Sequence, residues 1–220
     1  MVRQERAEYT LRRIVRAAAE QFDGMGYART SLDAITKAAG VSKGAFYFHF
    51  SSKEQLADAV QRHSRDLFDD LMEELGQYGG SPLQALIDST HGLTRLLAAE
   101  PSLRASIRIE RERPRQEPPS PLDFYRAWRE AIRQLLRTAA QHRELRPGLV
   151  QTSTEVLASA VVSCVETLSW LGVPPDDASR RLTELWDILL PAIAPADQVG
   201  RFRTTPPVEC DATCLPAPAR

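Results

Sequence analysis

"TSLDAITKAAGVSKGAFYFHFSSKEQLADAV", residues 30–60, is the stretch that decides how this chain folds. Leu32, Ile35 and Ala39 recur at three- and four-residue spacing, which predicts a short amphipathic helix. Thr30 or Ser31 can cap its start, and Thr30 with Asp33 three residues on has the form of a capping box. Gly40 closes that helix, because glycine supplies the positive φ an ordinary residue avoids. Val41 is the apolar residue of the turn and Ser42 the next cap candidate. "KGAFYFH" is then a second short helix. Ser51 or Ser52 starts a third, with Glu54 in its first turn. Its apolar stripe, Leu56, Val60, Leu67, Leu71 and Leu75, runs to Gly76.

Upstream, "YTLRRIVRAAAEQFDGMG" places Leu11, Ile14, Val15, Ala18, Phe22 and Met25 on one helical stripe with arginines opposite, and Gly24 or Gly26 can end it. Three helices in about 45 residues, the last two joined by the tight turn "AAGVS", make a helix-turn-helix candidate. The helix opening with Ser42-Lys43-Gly44 would lie against DNA. Lys43 can reach a guanine edge or a phosphate, and bare Gly44 lets the backbone approach. Thr30, Ser42 and Tyr47 can donate hydroxyl hydrogen bonds to phosphates. Phe46 and Phe50 point into the small core, and Phe48 is expected to do so in part.

Downstream the helical period continues, with candidates at about 82–99, 101–112, 121–144, 153–172 and 176–194. Pro82, Pro101, Pro121 and Pro175 stand near helix starts, where proline is tolerated. "RPRQEPPSP", residues 113–121, is a loop. No convincing strand alternation occurs. The expected fold is all-α. An N-terminal three-helix helix-turn-helix domain, 1–52, precedes a larger helical ligand-binding and dimerisation domain, 53–195, and a disordered tail, 196–220.

The charge pattern agrees. Residues 1–65 carry 11 Lys and Arg against 7 Asp and Glu, a net +4, while the remainder carries 17 against 22, a net −5. A basic end on an acidic body suits a nucleic-acid contact confined to that end. No apolar run is long enough to span a membrane, and the charged start lacks a signal-peptide core, so a cytoplasmic protein is expected. Cys164 sits in an apolar helical run. Cys210 and Cys214 form a C-x3-C pair without companions, a weak metal signal, and are expected to be reduced and unliganded. No metal or other cofactor is expected.

Residues 8–60, and above all "GVSKGAFYFHFSSKEQL", resemble the DNA-binding domain of the TetR family of bacterial repressors. The resemblance implies a homodimer in which the last two long helices, about 153–172 and 176–194, form a four-helix bundle with their symmetry mates. Two recognition helices would then meet a pseudo-palindromic operator in double-stranded DNA, about 35 Å apart, with His49 and Lys53 flanking the backbone on the far side of each. A narrower resemblance joins "PLDFYRAWREAIRQLL" and "LWDILLPAIAP" to the γ-butyrolactone receptor subgroup. It implies an apolar pocket for a lactone, butenolide or furan signal. Trp128 matches a pocket tryptophan there, Thr167 a threonine that bonds the signal's polar head, and Phe124 lies one turn from Trp128. Ser64 stands where several receptors carry glutamine. Trp170 and Trp186 read as core or dimer face.

Enzymes are set aside. His49, His63, His91 and His142 form no H-E-x-x-H, and the chain has no G-x-S-x-G, P-loop or G-x-G-x-x-G. Two other readings remain: a related repressor answering to an antibiotic or its intermediate, and a ligand-independent architectural DNA-binding protein. The large apolar body argues against the latter.

Overall fold

The computed structural model describes residues 2–77, 80–113, 120–149 and 151–207. Among them are nine α-helices: α1 (Val2–Met25), α2 (Leu32–Ala39), α3 (Lys43–His49), α4 (Lys53–Gln77), α5 (Pro82–Ala99), α6 (Pro101–Glu112), α7 (Phe124–Gln141), α8 (Gln151–Trp170) and α9 (Pro175–Ile193). No strand occurs among the described residues. Proline opens α5, α6 and α9, at the position where a missing N–H costs nothing. The chain divides into two compact units, one of residues 1–73 and 96–131, the other of 74–95 and 132–220.

In the first unit α1, α2 and α3 pack on one another, and α6 packs on α1. Ile14, Ala18, Phe22, Ile35, Phe46, Leu56 and Val60 are buried to 1% exposure or less and form one core. Met25, expected on the α1 stripe, is 41% exposed, because α1 ends there and the chain turns away. The break is Gly26, at φ +88°, whose N–H donates to Phe22 O at 3.0 Å. Gly40, at φ +61°, ends α2 and donates to Lys37 O at 3.1 Å.

The caps are more definite than sequence alone allows. Ser31, not Thr30, caps α2: its Oγ accepts from Ala34 N–H at 3.2 Å. Thr30 is 2% exposed and its hydroxyl donates to Gly26 O at 2.7 Å, so the expected Thr30–Asp33 capping box does not form. Ser42 caps α3 through Ala45 N–H at 3.1 Å, and Ser52 caps α4 through Gln55 N–H at 3.2 Å.

The buried side of α4 also differs from the leucine stripe. After Leu56 and Val60 it continues through Gln61, Ser64 and Phe68, all buried, while Leu67 is half-buried. An α-helix turns about 100° per residue, so a strict four-residue ladder drifts off the face, and residues 61, 64 and 68 take it up.

The last turn of α6 closes on the α1–α2 loop. Glu112 Oε2 accepts from Ala28 N–H at 2.7 Å. Arg113 binds Asp58 Oδ1 at 2.7 Å and Gln61 Oε1 at 3.2 Å, and its guanidinium lies 5.7 Å from the Tyr27 ring centre. Glu110 accepts from the Gln61 amide. Lys53 Nζ donates to Ala28 O at 3.3 Å and sits 4.4 Å from the Tyr27 ring centre on the cation–π side. Further along α6, Arg104 pairs with Asp23 of α1 at 2.8 Å. A loop, three helices and one aromatic ring are thereby tied at one point.

In the second unit Trp186 of α9 is fully buried, and its indole N–H donates to Thr90 Oγ1 at 3.0 Å. The expected disordered tail is corrected as far as residue 207. A 3-10 turn forms at Val199–Arg201, and Arg203 is held against α5. Gln84 makes two bonds to the Arg203 backbone, at 2.8 and 3.0 Å, Asp88 pairs with its guanidinium at 2.9 Å, and His91 Nε2 reaches Thr204 O at 2.8 Å. Burial depresses the His91 pKa, so Nε2 donates from a neutral ring and Nδ1 takes the Ser179 hydroxyl at 3.2 Å. Cys210 and Cys214 lie outside the described residues.

Two outcomes check these local assignments. Ser31→Ala should cost about 1 kcal/mol in denaturant unfolding, the usual value of a lost N-cap. Gly26→Ala should cost more, about 1–2 kcal/mol from the positive φ alone. The new Cβ would also stand 2.6 Å from Glu112 Oε1, so the carboxylate must leave its place beside Ala28.

Candidate nucleic-acid interface and sensing residues

The outer face of α3 is built by subtraction. Phe46 and Phe50 are 1% and 5% exposed, with ring centres 5.9 Å apart, and anchor the helix in the core. Every side chain opposite them faces outward. Ser42, Lys43, Gly44, Tyr47 and Phe48 are exposed, and His49 is half-buried. Tyr47 is 59% exposed and rests edge-on against Phe46 at 5.4 Å, which leaves its hydroxyl free to reach a phosphate. Phe48, expected to enter the core in part, is 76% exposed.

Lys43 projects from the first turn of α3 and pairs with Asp33 Oδ1 of α2 at 2.8 Å. The hydrogen bond to that carboxylate raises its pKa, so it carries a full positive charge at neutral pH. The pair is solvent-exposed on both sides, a weak interaction that a phosphate or a guanine edge can displace.

Two expected DNA contacts are placed elsewhere. The Thr30 hydroxyl is buried and spent on Gly26 O, so it has no proton to offer a phosphate. Lys53 turns inward to Ala28 O and Tyr27, where burial lowers its pKa. Burial, followed by the nearby Glu54 carboxylate, raises the pKa of Tyr27. Both Lys53 and Tyr27 serve the α6 clasp.

Three of the expected sensing residues are interior to the first unit. Ser64, Phe124 and Trp128 are each 1% exposed or less. The Ser64 hydroxyl donates to Ser102 O at 2.7 Å and lies 3.0 Å from Val60 O, which joins α4 to α6. One turn along α4, the Phe68 ring lies 6.4 Å from that of Phe124, which joins α4 to α7. The fourth, Thr167, is exposed on α8 in the second unit, whereas Val161, Val162, Val165 and Leu168 are its buried side. In the single chain Thr167 is therefore not enclosed.

Sequence reasoning missed two further hydroxyls. Ser102 and Ser106 lie one turn apart on α6, 3% and 0% exposed, and neither Oγ has a hydrogen-bond partner among the described residues. A buried hydroxyl left unpaired is costly. The signal available was a pair of serines at i, i+4 on the face that also carries Leu103 and Ile109.

Elsewhere, no group of three potential metal ligands occurs among the described residues, and no helix searched is long and apolar enough to cross a membrane. Large apolar side chains are exposed on α8 and α9: Val156 at 65%, Trp170 at 73% and Ile188 at 74%. Trp170 is therefore no part of this chain's core, unlike Trp186.

Comparison with known proteins agrees with this architecture. Residues 14–60 match the family model "Bacterial regulatory proteins, tetR family", and residues 80–195 match "Tetracyclin repressor-like, C-terminal domain". The A-factor receptor protein of Streptomyces griseus is 31% identical over 194 residues, covering 88% of this chain and 67% of that protein. A solved γ-butyrolactone receptor, described as ArpA-like, is 34% identical with a TM-score of 0.76, over 89% of this chain and 93% of that one. CprB from Streptomyces coelicolor, solved in complex with its biological operator sequence, is 35% identical with a TM-score of 0.76, over 89% and 94%. These relatives are regulators and not enzymes. The chain belongs to the TetR family of bacterial transcriptional regulators and is related to the γ-butyrolactone receptors.

Proposed function

We propose that this protein is a ligand-released repressor whose signal is a γ-butyrolactone-like, butenolide or furan molecule, controlling secondary-metabolite genes. The observation that carries the proposal is the outward face of α3. Lys43 and Tyr47 stand one turn apart with Ser42 and His49 beside them, on a helix anchored from behind by Phe46 and Phe50. Similarity along most of the chain to proteins named as A-factor and γ-butyrolactone receptors supports the choice of ligand class.

Members of this family work as dimers on operator DNA. The exposed apolar side chains of α8 and α9 support a second copy of the chain as their partner, through the last two long helices. Two α3 helices one DNA turn apart would read a pseudo-palindrome.

Sensing is assigned to the first unit. Phe124 and Trp128, buried on α7, would supply an apolar wall, and the buried hydroxyls of Ser102 and Ser106 on α6 would supply hydrogen-bonding groups, the mixture a lactone or furan needs. Helix α6 carries both serines, and its last turn, with Arg113 directly after it, carries the Glu112, Arg113 and Glu110 contacts to the α1–α2 loop and α4. A signal that shifts α6 therefore moves what holds α3. Loosening the operator about a thousandfold requires about 4 kcal/mol of coupling, or about 2 for each of two bound signals.

Fluorescence anisotropy with the protein's own upstream DNA tests both halves. Lys43→Ala should lose specific operator binding while the fold and the ligand response of Trp fluorescence persist. Trp128→Ala should do the reverse, binding the operator about as tightly as wild type but no longer released by γ-butyrolactones or culture extract. Normal release of the Trp128→Ala dimer would place the sensing site elsewhere.

A further inference from the structure

Two side-chain choices on α3 are not accounted for by core packing among the described residues. The first is Gly44. It is not among the glycines with positive φ, so its backbone does not require glycine. A Cβ built on it would meet only Ser42 Oγ, at 3.9 Å, an ordinary contact. Glycine is a poorer helix former than alanine. An alanine would fit here, and nothing among the described residues of the first unit accounts for its absence. The second is Phe48, 76% exposed beside a core already closed by Phe46 and Phe50. A lone exposed apolar residue is ordinary. This one lies four residues after Gly44, so notch and ring are vertical neighbours on one helix face. The His49 ring meets Phe48 edge-to-face at 5.0 Å and 86°, which steadies it.

The flanks carry the polar groups. Lys43 and Tyr47 stand one residue earlier in the same two turns, and both are exposed. They can serve phosphates and base acceptors. Gly44 and Phe48 have no side-chain donor or acceptor and cannot. The one apolar group that B-DNA displays in its major groove is the 5-methyl of thymine. We propose that Gly44 and Phe48 form one apolar reading element, in which the ring packs on a thymine methyl while the notch admits the backbone to the base edge. The proposal rests on the repressor assignment above and adds a base preference to it.

Uracil removes that methyl and nothing else, so it is the probe. The full-length protein first selects duplexes from a random pool, and each thymine of the selected site is then replaced in turn. At one symmetry-related pair, wild type should bind about fourfold more weakly per methyl lost, about fifteenfold for both. Phe48→Ala should bind the thymine and uracil forms of that pair equally and melt at the wild-type temperature, as an exposed position allows. Phe48→Leu should keep part of the discrimination. Gly44→Ala should weaken binding with no fall in melting temperature. Wild type indifferent to every uracil, or a Phe48→Ala protein that still discriminates, overturns the thymine assignment alone. So does a Phe48→Ala protein whose self-association changes while its DNA binding does not, since the ring would then meet protein. Failure of wild type to select any site overturns the repressor assignment, and this proposal with it.

Discussion

The contact between Glu112 and the amide of Ala28 carries more of this structure than its size suggests. It joins the last residue of α6 to the two-helix turn that aims α2, and through α2 the recognition helix. Around it Tyr27 is flanked by Lys53 and Arg113, and Arg113 also holds Asp58 and Gln61 of α4. Gly26 makes this possible, because a side chain there would occupy the place of the Glu112 carboxylate. Burial, and after it the Asp123 carboxylate, pushes the pKa of Glu110 up, as expected for an acid held in a crowded joint. Such a joint gives a sensor a short route to DNA: α6 need not reshape the head, only move what grips it.

The same constraint divides labour among the cations of the head. Lys43 is exposed, weakly engaged with Asp33, and available to DNA. Lys53, only ten residues on, is withdrawn from that role by the clasp. Both are lysines near a helix start, and spacing alone cannot separate them. What separates them is an aromatic ring 26 residues before Lys53, brought beside it by the fold.

Much of the head was legible in the sequence because its signals are local. Gly40, the cap at Ser42 and the pair Phe46 and Phe50 depend on neighbours within one or two turns. Phe48 was legible too, had rotation been followed: two residues on a helix are about 200° apart, so a residue midway between two core positions faces away from both. The buried Ser64 and Gln61 were hidden because polar residues are discounted on an apolar stripe. The docked segment to residue 207 was hidden by its proline-rich composition, whereas its hooks, Gln84, Asp88 and His91, lie at helical spacing on α5. For Thr167 resemblance alone proposes a role, since the residue is exposed on α8 in the single chain.

Release of the operator by a small molecule is the central claim, and a footprint with and without that molecule tests it most directly. On the protein's upstream DNA, the full chain should protect a pseudo-palindrome with half-sites about one helical turn apart. A panel of γ-butyrolactones, or extract of the organism's own culture, should erase that protection at unchanged salt. Protection that spreads without sequence preference, or that persists through every lactone and extract, would contradict the account.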